Sequence, residues 1–298
     1  MVAWHEPDSW VTKLFGAHLS TFLITLVVAL GFPVLLHLYL YRQKTPASPP
    51  AFVLVGPSGA GKTTLVTSLE TGRPRDTHPT QTPHKTTLAL HPDYTPFSAR
   101  FRSVNDPTND RNRRLALHDT PGHGKLRART LQASTFSSVP NLAGVVYMVD
   151  AAAIANSGGA GSALSDAAEY LHDVLLVLQR RYTGNKTSRP PRPTPVLVAA
   201  NKMDLFTALP AQLVRAQLEA EIEKVRVARA KGVMDVAYNE EQGDGGEDKE
   251  WLGFGGEGKF DFKQMEEMNV PVEVIGGSVS GEEGPGVDAW WEWIAQQM

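Results

Sequence analysis

Several short stretches of this chain carry residues whose types and spacing suit phosphate and purine chemistry. The first is GPSGAGKTT, Gly56–Thr64. Its glycines, Gly56, Gly59 and Gly61, with Pro57, Ser58 and Ala60 between them, let a backbone fold around an anion so that successive N–H groups point inward. Lys62 is placed to reach the β- and γ-phosphates of a nucleoside triphosphate. The Thr63 hydroxyl suits Mg²⁺, and Thr64 continues into a helix whose positive end adds to the site. A chance glycine-rich turn would look the same in isolation; a strand before it and a helix after it argue against that. ATPases, kinases and GTPases all use such a loop, so it does not name the base.

NKMD, Asn201–Asp204, does. It ends the apolar run PVLVAA, Pro195–Ala200. A carboxylate at Asp204 can accept from the N1 and N2 donors of guanine, a donor pair adenine lacks. The Lys202 stem can lie along the base, and Asn201 can brace the site. The third stretch is HDTPGHGKLR, His118–Arg127. Asp119 ends an apolar run and can hold Mg²⁺ through water. Gly122 can turn its N–H toward a γ-phosphate and move when that phosphate leaves, as a switch loop does. His123 stands where GTPases place the residue that orients the attacking water. The plainer alternative for His123 is an exposed loop histidine without chemistry.

Such stretches need a scaffold that brings them to one edge. AFVLV (Ala51–Val55), LALHD (Leu115–Asp119), GVVYMVD (Gly144–Asp150), the NKMD strand and VPVEVI (Val270–Ile275) read as strands covered on both faces. Helical patterns fall between and after them, over 62–71, about 163–182, about 211–231 and 287–297. The expectation is an α/β phosphate-loop GTPase domain over 51–298, its mostly parallel sheet flanked by helices and its ligand at the carboxyl ends of the strands. Trp290, Trp291, Trp293 and Ile294 form a stripe on the last helix, expected to pack on the sheet rather than meet a partner. The acidic, glycine-rich run 238–259 is expected to bury little apolar area and to be mobile.

The chain has 298 residues, a formal charge of −3 and no cysteine. That leaves room for one sizeable domain plus an appendage. It removes disulfides and thiolate metal sites and gives no reason to expect nucleic acid as a partner. No charged residue falls between Leu14 and Tyr41. A helix needs roughly 20 apolar residues to cross the hydrocarbon core, so 14–41 reads as a transmembrane helix. A core helix would show a polar face, and a signal peptide has a shorter apolar stretch before a cleavage site. Residues 1–13 form a short tail. TPASPP closes a linker over 42–50 that extends at most roughly 25–30 Å.

Phosphate loop, DTPGH and NKMD, in this order, resemble a Ras-superfamily GTPase of the Arf/Sar branch. With the apolar span in front, and with TGRPRDT (Thr71–Thr77), MVDAAA (Met148–Ala153) and KFDFKQM (Lys259–Met265), the chain resembles the β subunits of the signal recognition particle receptor, fungal forms in particular. The resemblance covers nearly the whole chain. It implies GTP and Mg²⁺ as ligands, the N-terminal domain of the receptor α subunit as partner, and the endoplasmic reticulum membrane as location. GTP is cytosolic, so the domain would face the cytosol and the N-terminal tail the lumen. The resemblance also implies a first-switch threonine on Mg²⁺; Pro79-Thr80 matches the Pro-Thr pair of the Arf/Sar branch, with Thr82 as the second choice. The last base-contacting loop, Cys-Ser-Ala-Lys or similar in the family, departs here to IGGSVSGEE, Ile275–Glu283. Ser278 and Val279 occupy its slot, and the usual lysine is absent.

Arf proteins carry a myristoylated glycine after the initiator methionine, where this chain has Val2, and Sar proteins use an amphipathic helix. A transmembrane helix is effectively permanent by comparison. Nucleotide state would then control a protein partner rather than membrane residence, with intrinsic hydrolysis slow. The alternative is a turnover GTPase of the Arf/Sar type acting in membrane traffic. The basic, proline-rich loop 183–194 is read as a solvated connection, with ribosome or translocon contact left open.

Overall fold

The computed structural model describes residues 19–44, 48–100, 113–131, 136, 138–156, 162–184, 192–239, 251–253, 258–281 and 286–298. The chain divides into two compact units, Met1–Ala47 and Ser48–Met298. Among the described residues the first contains one helix, α1 (Leu19–Lys44), which includes Pro33. Its apolar window Phe22–Tyr39 is long enough to cross a membrane, and no residue of that window is buried. A lipid phase is the environment that would cover such a surface. Residues 14–18 of the expected span lie outside the described residues.

The second unit is built on a six-stranded sheet in the order β2-β3-β1-β4-β5-β6. The strands are β1 (Ala51–Val55), β2 (His84–Ala89), β3 (Arg114–Asp119), β4 (Leu142–Asp150), β5 (Val196–Asn201) and β6 (Val272–Gly276). All pairings are parallel except that of β2 with β3. Every residue of β1 and β5 is buried, as their unbroken apolar sequences require. β2 lies at the edge and shows mostly exposed residues. The helices are α2 (Lys62–Thr71), α3 (Gly124–Thr130), α4 (Ala151–Ala155), α5 (Ala163–Thr183), α6 (Ala211–Asn239), α7 (Lys263–Glu267) and α8 (Asp288–Gln297).

The side-chain alternation of β1 divides the core. Ala51, Val53 and Val55 face a cluster shared with α5 and α6, while Phe52 and Leu54 face one shared with α2 and α8. Trp290 and Trp293 of α8 are buried in the second cluster, so the aromatic stripe packs on the sheet. The Trp290 indole N–H also donates to the Ile275 carbonyl at 3.1 Å.

The run 238–259 differs from its expected character at its far end. Leu252 is buried in the first cluster, and Gln179 of α5 clamps the chain there, donating to the Trp251 carbonyl and accepting from the Gly253 N–H. One leucine and one buried amide suffice to dock this stretch, although its average composition is polar. Residues 240–250 and 254–257 lie outside the described residues.

Candidate functional site

The carboxyl ends of β1, β3 and β5 deliver their loops to one cleft of about 830 Å³. Between β1 and α2 the chain makes the phosphate loop. Gly56 has φ +139°, and a Cβ there would collide with the Met148 carbonyl of the adjacent strand. Gly61 has φ +98°, and a Cβ would run into the Asn201 amide. These two positions therefore require glycine. Gly61 is also the N-cap of α2 and makes no side-chain cap, so the first N–H groups of that helix remain free for an anion.

Lys62 is buried, and its ammonium donates to the carbonyls of Gly56 at 2.7 Å and Pro57 at 2.8 Å. Burial pushes its pKa down to about 8, with the Asp119 charge opposing and the Arg127 charge adding to the shift. Beside it lies a cluster of oxygens. Asp119 Oδ2 accepts from the Thr63 hydroxyl at 2.9 Å and the Thr80 hydroxyl at 2.8 Å, and the two hydroxyls are 2.6 Å apart. Asp119 Oδ1 is buried with no partner among the described residues. A buried carboxylate oxygen without a donor is costly in isolation. Oxygen donors with one unpaired lone-pair site suit a hard cation that keeps water and phosphate as its other ligands, as Mg²⁺ does. Among the described residues no three His, Cys, Asp or Glu side chains cluster, so a cage built of such side chains is not the alternative there.

Thr80 is thus brought to Asp119, whereas Thr82 is exposed and does not line the cleft. The preceding segment, Pro74–Thr80, forms one wall, tied to α2 by the Thr64 and Thr77 hydroxyls at 3.0 Å. Gly122 packs tightly against the phosphate loop. A Cβ there would fall 2.5 Å from the Lys62 ammonium and 2.6 Å from the Gly56 carbonyl oxygen. His123 is exposed and lies outside the cleft wall; it caps α3, where its Nδ1 accepts weakly from the Lys125 N–H at 3.4 Å.

At the other end, Asn201 is buried and joins two loops. Its Nδ2 donates to the Ala60 carbonyl at 2.8 Å, and its Oδ1 accepts from the Val279 N–H at 3.0 Å. Lys202 adopts φ +66° and pairs with Asp150, whose other oxygen caps α4. Asp204 is exposed and lines the cleft. In the last loop Val279 and Ser280 line the cleft. Ser278 does not line the cleft; it is buried, and its N–H donates to the Gly286 carbonyl at 3.2 Å. Two contributors were missed in the sequence: Asp150, whose position at a strand end and N-cap is legible, and Arg127, whose partner lies far along the chain. Most of the basic loop 183–194, residues 185–191, lies outside the described residues.

A family model described as "Signal recognition particle receptor beta subunit" matches residues 47–270. The signal recognition particle receptor subunit beta of Saccharomyces cerevisiae is 27% identical over 249 residues, 84% of this chain and 84% of that protein. The Homo sapiens subunit is 33% identical over 211 residues, covering 70% of this chain but 64% of the human protein's length. Among solved structures, the receptor SRb-GTP/SRX complex from Chaetomium thermophilum superposes with a TM-score of 0.65 at 35% identity, covering 83% of this chain and 99% of that one. SRb-GDP-Mg from the same organism gives a TM-score of 0.60 at 38% identity, over 85% and 100% of the two chains.

Proposed function

The chain belongs to the family of signal recognition particle receptor beta subunits, and on that premise we propose that it is a GTP-controlled, membrane-anchored docking subunit. In its GTP-bound form it would hold the receptor α subunit, through that subunit's N-terminal domain, at the endoplasmic reticulum. The observation that carries this reading is the meeting of two loops on the phosphate loop: Thr80 at the Thr63 hydroxyl from one side and Gly122 at Lys62 and Gly56 from the other.

Mg²⁺–GTP, when bound, supplies the γ-phosphate charge and the cation that both loops can sense. The chain's own residues divide the remaining work. The free N–H groups of the phosphate loop and the Lys62 ammonium would bind phosphate. Thr63, Thr80 and Asp119 would hold the cation, and Asp204 would select guanine against adenine. Asn201 and Lys202 position that end of the cleft. The solved SRb-GTP/SRX, SRb-GDP and SRb-GDP-Mg structures of relatives support these ligands. A partner that touches both loops when they are closed prefers the GTP state by the free energy separating the two arrangements. A 100-fold preference requires about 2.7 kcal/mol.

His123 is exposed and away from the cleft wall, which supports slow hydrolysis and favours docking over the turnover reading. The lipid-length helix α1 supports a permanent single-pass anchor, with the domain cytosolic and the N-terminus lumenal. The test is recovery of an α-subunit fragment on the purified chain loaded with GTP, loaded with GDP, or empty. Strong recovery with GTP and weak recovery otherwise is expected. Equal recovery in all three states refutes nucleotide control and leaves a constitutive scaffold. Protease protection of the domain in sealed microsomes would overturn the cytosolic orientation.

A further inference from the structure

Arg127 occupies a position that the phosphate loop, the cation cluster and the base end of the cleft do not explain. Its Nε donates to the Gly122 carbonyl at 3.0 Å. Its two terminal nitrogens donate to the two oxygens of Asp166, each at 2.6 Å. The guanidinium plane lies over the Tyr170 ring, 4.6 Å from its centroid. Asp166 and Tyr170 are four residues apart on α5 and therefore share one face of that helix. The hydroxyl of Tyr170 is buried, without a hydrogen bond of ordinary geometry, beside Thr120 and Thr130. Thr120 lies just before Gly122 and Thr130 ends α3, so one face of α5 meets the second switch loop at its start, its middle and its end.

We propose that Arg127 is a positioning residue for γ-phosphate recognition: clamped by Asp166 and stacked on Tyr170, it holds the Gly122–His123 peptide so that Gly122 stays against the phosphate loop. The geometry gives the reason. Gly122 has no side chain to anchor it, and its close approach to Lys62 and Gly56 leaves no room for one. Its carbonyl is the one polar handle on that side, and Arg127 takes it. A guanidinium already fixed by a bidentate carboxylate loses little freedom in making that third bond. A lysine in its place could not reach the carbonyl and both carboxylate oxygens in one plane. Because Gly122 faces the γ-phosphate end of the cleft, loss of the clamp should weaken GTP and spare GDP.

The inference rests on the GTP-binding reading above, and the experiment separates the two. Dissociation constants for a non-hydrolysable GTP analogue and for GDP, with Mg²⁺ present, are measured on the full-length chain in detergent micelles. The wild type is compared with Arg127→Lys and Asp166→Asn. Arg127→Lys should lower the GTP-to-GDP affinity ratio about tenfold, equivalent to about 1.4 kcal/mol. Asp166→Asn keeps the shape of the side chain and should lower the ratio in the same direction by about threefold, about 0.65 kcal/mol. GDP affinity should change less than twofold in both. If Arg127→Lys does not fold, Asp166→Asn decides alone. Equal weakening of both nucleotides marks a merely structural role and overturns the proposal, as does an unchanged ratio. A wild type that binds neither nucleotide overturns the underlying reading and the clamp with it.

Discussion

Asn201 offers the most direct test of how the two halves of the cleft are tied. The side chain is buried and satisfies two groups that are themselves buried, the Ala60 carbonyl and the Val279 N–H. Asn201→Ala removes the side chain that serves both groups, and one water entering the space it leaves would replace those bonds only in part. Each orphaned buried group costs roughly 1–3 kcal/mol, so the loss should be about 2–6 kcal/mol. Asn201→Asp should be worse. It keeps an acceptor for Val279 N–H but turns an oxygen toward the Ala60 carbonyl and buries a charge. The assay is equilibrium urea unfolding of a chain beginning at Ser48, the start of the unit that contains both core clusters. Starting there retains the Ser48 carbonyl that accepts from Asn141 at 3.1 Å and the Pro50 carbonyl that accepts from Ala116. With m-values of ~2–3 kcal/mol/M, the midpoint should fall by roughly 0.7–3 M for the alanine variant. GTP and GDP affinity should fall together, because both ligands use this end. A stability loss under ~1 kcal/mol, or an aspartate variant milder than the alanine one, would refute the brace.

Nucleotide affinity should also depend on pH through Lys62. Its pKa in the free protein is about 8, and bound phosphate raises it, so above that pH the complex holds more protons than the free protein. Affinity should therefore be flat below pH ~7.5 and fall by up to about tenfold per unit above ~8; a flat titration to pH ~9 would contradict this. Asp204→Asn converts an acceptor pair into a donor and an acceptor, and should lose GTP while gaining xanthosine triphosphate. Unchanged GTP affinity in that variant would sink the base assignment. His123→Ala should slow intrinsic hydrolysis modestly and leave GTP affinity nearly intact. A rate loss of ~10³-fold or more in single-turnover assays would restore the turnover reading.

The strands were legible because each is an apolar run with a motif at its carboxyl end. Val196–Asn201 runs into Lys202–Asp204, and Ala51–Val55 runs into the phosphate loop. β2 was not, because an edge strand exposed on most of its length has no continuous apolar run to find. The cleft residues on one motif were legible for the same local reason. Thr80 needed the family likeness to be chosen over Thr82, and the packing that brings it to Asp119 spans 39 positions. The Arg127–Asp166 pair spans another 39. Composition also misjudged residues 251–253, since burial of Leu252 depends on Gln179 of α5, which no local window contains.

The two ends of the cleft are built with different stiffness, and that difference suits a switch. The base end is braced by Asn201, buried and bonded on both sides, and by Lys202 on the capping carboxylate of α4. Both GTP and GDP carry the base, so this end gains by being fixed. At the phosphate end the first loop is held by hydroxyls, Thr80 on Asp119 and Thr77 on Thr64, with mostly exposed residues around them. Segments with few buried contacts open at low free-energy cost. A cation held by Asp119, Thr63 and Thr80 would rearrange the bonds that now join both hydroxyls to Asp119 Oδ2, so ligand and loop would be linked through one carboxylate. A stiff base end lets either nucleotide stay bound, while a lightly held phosphate end lets one phosphate group decide the shape of the surface. In a chain whose lipid-length helix would keep it at the membrane in either state, that shape is what remains for the nucleotide to control.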